Sequence, residues 1–106
     1  MSAFPQFGPE AEIHQLDTGV VSMRVVIAGT GPDVIFIPGG DQTAEAYSQQ
    51  FARLSKDFRC ISYDPRGAGE TVSPPAPWTM HDFAADCAAL IDAFCSGQAV
   101  VTGLSL

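Results

Sequence analysis

Three glycine-rich segments hold most of the residues whose types and spacing could do chemistry. Pro38-Gly39-Gly40-Asp41 puts two adjacent glycines directly after an apolar run. Glycines there allow a sharp turn and leave N–H groups unshielded, and such groups ahead of a helix can stabilise a negatively charged oxygen. A plain strand-to-helix turn uses the same residues. Asp64-Pro65-Arg66-Gly67-Ala68-Gly69-Glu70-Thr71 sets an acid and a guanidinium two apart. A dinucleotide fingerprint fails because the position three after Gly69 is Val72, and a phosphate loop fails because the only lysine, Lys56, stands on another element. Asp64 and Arg66 are therefore expected to hold their loop by hydrogen bonds to backbone groups. Gly103-Leu104-Ser105-Leu106 places a serine just after a β-branched run. At a sharp strand-to-helix elbow such a serine projects its hydroxyl, and the next N–H, that of Leu106, faces an oxyanion. An ordinary strand-end serine is the competing reading.

The other candidates are weaker. Cys60, Cys87 and Cys95 form no C-x-x-C pair, so neither a disulfide framework nor a zinc site is expected. Cys87 and Cys95 read as small hydrophobes on a helical face, which suits a reducing, cytoplasmic setting. His14 and His81 read as surface residues of a strand and of a helix's first turn. Tyr47, Phe51 and Trp78 could touch a ligand, although helix packing accounts for the first two.

These segments need elements to position them. Residues 1–11 read as a lead-in and 12–106 as one domain. Ile13 to Thr18 and Val20 to Ala28 predict a hairpin around Gly19, closed off by the turn Gly29-Thr30-Gly31-Pro32. Asp33-Val34-Ile35-Phe36-Ile37 has no alternation, which predicts a strand buried on both faces at the centre of a parallel sheet. Ala44, Tyr47, Phe51 and Leu54 recur at helical spacing, with Asp41 or Thr43 as the cap. Phe58 to Tyr63 predicts a further strand. After the proline-rich stretch to Pro77, Thr79 and Asp82 form an acidic capping box. Phe83, Cys87, Leu90, Ile91 and Phe94 then line one face of a helix. Gly97 stops it, and Ala99 to Thr102 predicts a third buried strand. Strand–helix alternation at this spacing implies a mainly parallel sheet with helices on both faces. In such sheets sites form beyond the carboxyl ends of the strands, where all three glycine segments fall.

Composition bounds the function. With 46% hydrophobic and only 16% charged residues the chain can bury enough apolar surface to fold. A formal charge of -7 repels phosphate backbones, which argues against nucleic acid or an anionic membrane as partner. No apolar run approaches the ~18 residues of a membrane span, and the first residues lack a signal-peptide layout.

Taken together and in this order, the segments resemble the N-terminal part of an α/β-hydrolase, over residues 12 to 106. In that family the strand after the opening hairpin ends in a His-Gly or Gly-Gly oxyanion loop. The next ends in an Asp-x-Arg-Gly-x-Gly-x-Ser/Thr loop, and the one after the second helix in the G-x-S-x-G nucleophile elbow. The resemblance implies an α/β fold of which only the first part is present. It implies Ser105 as nucleophile and the backbone N–H groups of Gly40 and Leu106 as oxyanion donors. Gly39, Asp64, Arg66 and Gly103 would support them. Serine at the elbow is unlike the epoxide hydrolases and haloalkane dehalogenases, which carry aspartate there. It implies an acyl-serine route for a carboxylic ester, lactone, thioester or similar small carbonyl substrate, with no cofactor or metal.

Two departures stand out: Pro38 occupies the position where histidine is common, and the elbow's final glycine is not among these residues. The family's acid and histidine follow the nucleophile, so both are expected beyond Leu106. They would come from the same chain or from a separate polypeptide completing the site; a non-catalytic binding protein of this fold is the alternative. A strand at the cut edge predicts exposed apolar surface.

Overall fold

A computed structural model describes residues 7, 10–39 and 42–103. Strands β1 (Glu12–Asp17) and β2 (Ser22–Ala28) form the expected hairpin, with Glu12 opposite Ile27 and Asp17 opposite Ser22. β2 starts later than its apolar residues suggest. The hydroxyl of Thr18 accepts the N–H groups of Val20 and Val21, which turns those residues out of the ladder.

β3 (Asp33–Ile37) and β4 (Arg59–Tyr63) pair in parallel, and β5 (Val100–Gly103) pairs in parallel with the other edge of β3. β2 joins β4 antiparallel, giving the order β1-β2-β4-β3-β5. The sheet is mixed, parallel across β4, β3 and β5 and antiparallel towards the hairpin.

Alternation along β3 splits the core in two. Val34 and Phe36 face a cluster with Val26, Cys60, Tyr47 and Phe51, under a 3-10 turn (Ala44–Tyr47) and helix α1 (Ser48–Leu54). Phe7, within the lead-in, also packs there, its ring edge-on to Phe51 at 5.1 Å. Ile35 faces the opposite cluster, with Met23, Val25, Ile61, Tyr63 and Leu90, under α2 (Met80–Phe94). One helical layer on each face is the architecture the alternation predicts.

The capping box of α2 forms as expected: the Thr79 hydroxyl accepts the Asp82 N–H at 3.2 Å, and the Asp82 carboxylate accepts the Thr79 N–H at 2.7 Å. That backbone bond holds the Asp82 carboxyl below its usual range. Thr43 sits at the expected cap position in extended backbone but makes no side-chain cap; Asp41 lies outside the described residues. The Ala44 N–H is taken by the Asp64 carboxylate at 3.0 Å, so a buried acid from β4's end does the capping.

β5 departs from expectation. Val100 and Val101 are 62% and 46% exposed, so this strand is not buried. Among the described residues it pairs with β3 only, at the sheet edge, and all four of its residues are exposed. Apolar residues encode the demand for cover; the covering elements are not supplied by residues 99–103.

Candidate functional site

The parallel register aligns the carboxyl ends of β3, β4 and β5, with Ile37 opposite Gly103 and Phe36 opposite Ser62. The strand ends at which the three glycine segments begin therefore lie on one side of the sheet. Gly40, Ser105 and Leu106 lie outside the described residues, as does Leu104. Their flanks are placed.

At the end of β3, Pro38 and Gly39 are buried. The Gly39 N–H donates to the Gln42 side-chain carbonyl at 2.9 Å, and the Gln42 N–H donates back to the Gly39 carbonyl at 3.0 Å. The Tyr47 hydroxyl donates to the Ile37 carbonyl at 2.8 Å. Tyr47 thus ties the helix to the strand end, and Phe51 is core, as packing predicts. Gly103 lies close against β3. A Cβ there would stand 3.2 Å from the Cβ of Ile37 and 3.3 Å from its carbonyl oxygen, tighter than side chains usually pack.

Asp64, at the end of β4, is fully buried. Its carboxylate accepts the N–H groups of Ala44 and Glu70, at 3.0 and 2.9 Å, which is the backbone role expected of it. It also pairs with the Arg24 guanidinium at 3.1 Å. Arg24 reaches from the middle of β2 and forks onto Glu45 at 2.6 and 2.9 Å. That bond holds the Glu45 carboxyl down at about 2 and raises the Arg24 pKa.

Arg66 departs from expectation. Among the described residues it holds no backbone group; it forks onto Asp86 of α2, at 2.6 and 3.0 Å, with both side chains buried. A guanidinium matches a carboxylate bidentately, and once both are out of water that geometry outcompetes single carbonyls. The loop is thereby fastened to the helix. The indole ring of Trp78 lies over Gly67, and its N–H donates to the Pro74 carbonyl at 2.9 Å.

Gly69 explains the second glycine of this loop. Its φ is +52°, and a Cβ there would run into the Asp64 carboxylate. Gly69→Ala is expected to displace that carboxylate from the Glu70 N–H and to cost about 1–3 kcal/mol. The midpoint of urea unfolding measures it; a change below about 0.5 kcal/mol would show that the loop yields freely.

Sequence reading missed Arg24, Glu45, Gln42 and Asp86. Two carried a signal: Arg24 is the lone charge in an apolar strand, and Asp86 interrupts the apolar face of α2. Charges that deep are rarely buried without a partner.

His14 contacts Glu12 at 3.0 Å and packs near the ring of Phe94, while His81 is exposed on α2's first turn. All three cysteines are free thiols. Burial pushes the Cys60 thiol up to about 11, and raises Cys87 and Cys95, which makes them poor nucleophiles. Among the described residues no group of His, Cys, Asp or Glu could hold a metal, and no helix is long and apolar enough to cross a membrane.

An apolar cavity of about 220 Å³ adjoins the ends of β3 and β4, between Ile37, Tyr63, Pro65, Met80, Phe83 and Cys87. A larger polar one, about 430 Å³, opens at the opposite end of the sheet among Glu10, Glu12, Thr30, Lys56 and Arg59, remote from the glycine loops.

The sequence pattern of the alpha/beta hydrolase family matches residues 34–106. The 2-(acetamidomethylene)succinate hydrolase of Mesorhizobium japonicum is 32% identical over 93 residues, covering 88% of this chain and 34% of that protein. Epoxide hydrolase 1 of Siraitia grosvenorii is 34% identical over 95 residues, covering 87% and 30%. The crystal structure of an epoxide hydrolase from Vigna radiata superposes on 92% of this chain and 33% of its own with a TM-score of 0.85, at 28% identity. The chain spans about a third of the length of these relatives. With the family pattern spanning residues 34–106 and the mixed sheet with a helical layer on each face superposing on these structures, this chain belongs to the alpha/beta hydrolase family.

Proposed function

We propose that this chain carries the nucleophile and oxyanion loop of a serine hydrolase acting on a carboxylic ester or a related carbonyl such as a lactone or thioester. The observation that supports the reading is that the three strands preceding the glycine segments end on one side of the sheet, with Ser105 two residues beyond Gly103 in the sequence. Family relatives named as hydrolases support hydrolysis in general. Serine at the elbow favours acyl transfer over the epoxide opening named for several of them.

In this reading the Ser105 Oγ attacks the carbonyl carbon while a histidine from beyond Leu106 takes its proton. The carbonyl oxygen, now an oxyanion, is held by the N–H groups of Gly40 and Leu106. Collapse expels the alcohol, which receives the proton, and water then releases the acid from the acyl-serine by the same route. The Gly39 N–H is committed to Gln42, which leaves the donor role to the residue that follows.

A fluorophosphonate probe on the full-length protein tests this directly. One phosphonyl group is expected per molecule, on the peptide that contains Ser105. An intact protein left unlabelled, yet opening a simple aryl epoxide, would select the chemistry its epoxide-hydrolase relatives are named for.

A further inference from the structure

Three contacts hold described residues on either side of positions 40 and 41. Gln42 bridges back to Gly39, Tyr47 holds the Ile37 carbonyl, and Asp64 takes the Ala44 N–H. The third hold differs in kind, because a charge network stands behind it. Asp64 is fixed by Arg24, and Arg24 is gripped by Glu45, the residue directly after Ala44. Strand β2 therefore holds the start of the 3-10 turn at two consecutive residues, at Ala44 through Asp64 and at Glu45 directly. The Asp64 N–H donates to the Arg24 carbonyl at 3.0 Å, and the Arg24 N–H to the Thr71 hydroxyl at 3.2 Å, so the clamp rests on the sheet itself.

We propose that Arg24 and Glu45 are positioning residues of the site, clamping Ala44 onto Asp64 so that the start of the 3-10 turn is set before substrate arrives. This rests on the serine-hydrolase reading above for its catalytic consequence. The contribution is geometric. Arg24, Glu45 and Asp64 together carry one positive and two negative charges, a net sign that repels an oxyanion and cannot stabilise it directly. Preorganisation is where such a clamp acts, since donors displaced by a fraction of an ångström lose much of their effect on an oxyanion. Glu45 suits the purpose because its carboxyl, held at about 2, remains ionised at any working pH.

The test uses Glu45→Ala and Glu45→Gln in the full-length protein, read by amide hydrogen exchange and by kinetics on p-nitrophenyl butyrate. Glu45 is partly exposed and Arg24 keeps Asp64 in both variants, so the sheet is expected to hold. The amides of Ile35 and Ile61, in the central strands, serve as the reference for global opening. Exchange at Gly39 and Ala44 is expected to speed up about tenfold in Glu45→Ala while the reference amides do not change. In parallel kcat should fall about tenfold with KM within about twofold. Glu45→Gln, which keeps a hydrogen-bonding side chain, should restore part of both. Unchanged exchange at Gly39 and Ala44 overturns the proposal, whatever the kinetics. So does a loss of kcat in Glu45→Ala that Glu45→Gln does not restore in part. Wild-type protein that resists the fluorophosphonate while Glu45→Ala still loosens Ala44 would remove the hydrolase reading and leave the clamp standing.

Discussion

Asp64→Ala is expected to cost about 3–5 kcal/mol of folding stability, the loss that follows when one partner of a buried ion pair is removed. The Asp64 side chain is fully buried and accepts the N–H groups of Ala44 and Glu70 as well as the Arg24 guanidinium. Alanine strips all three at once. Arg24, itself only 4% exposed, retains Glu45, with Glu70 3.4 Å away at the surface. The desolvated charge is thus partly compensated, which places the loss towards the lower end of the range. The buried Ala44 amide and the part-buried Glu70 amide lose their acceptor, which adds to it. Against the roughly 5–15 kcal/mol that holds a domain of this kind together, the change is severe. Urea unfolding followed by tryptophan fluorescence should show the midpoint falling by about 2 M. Asp64→Asn, which retains an acceptor but not the charge, should lose less. A shift smaller than about 1 kcal/mol in the alanine variant would mean that the loops are held by their glycine geometry alone.

What the sequence made legible was local or periodic. The Thr79–Asp82 capping box is an i, i+3 device and formed as read. The unbroken apolar run of β3 announced a strand buried on both faces, and the glycine clusters marked where the strands end. Partners across the fold were not legible. Arg24 lies 40 residues from Asp64, and Arg66 lies 20 from Asp86; periodicity gives the face of an element and says nothing of what meets it. Asp64 was read correctly as a backbone holder because a loop offers backbone groups nearby. The same reasoning failed for Arg66, because an acid on α2 was the better acceptor. β5 shows the limit from the other side. Its valines ask for cover, and burial depends on elements that residues 99–103 do not encode. The exposed apolar surface expected at that edge is present.

The second large effect falls on chemistry and leaves the fold alone. Ser105→Ala in the full-length protein is expected to lower kcat on p-nitrophenyl butyrate by ~10³-fold or more, with KM changed little. The serine oxygen is the atom that forms the acyl bond in the proposed reaction, so no remaining group can carry the same covalent route. What survives is the contribution of the oxyanion donors and of substrate binding, which still exceeds the reaction in water. This separates Ser105 from the clamp: losing Glu45 misplaces a donor and costs about tenfold, whereas losing Ser105 removes the nucleophile. Thermal melting of the variant should match the parent, since the substitution removes a single hydroxyl oxygen. A residual kcat within about tenfold of the parent would exclude Ser105 as the nucleophile, because a covalent route cannot lose its attacking atom so cheaply. The hydrolysis would then have to proceed by direct attack of water, with the strand-end loops serving only to hold the substrate.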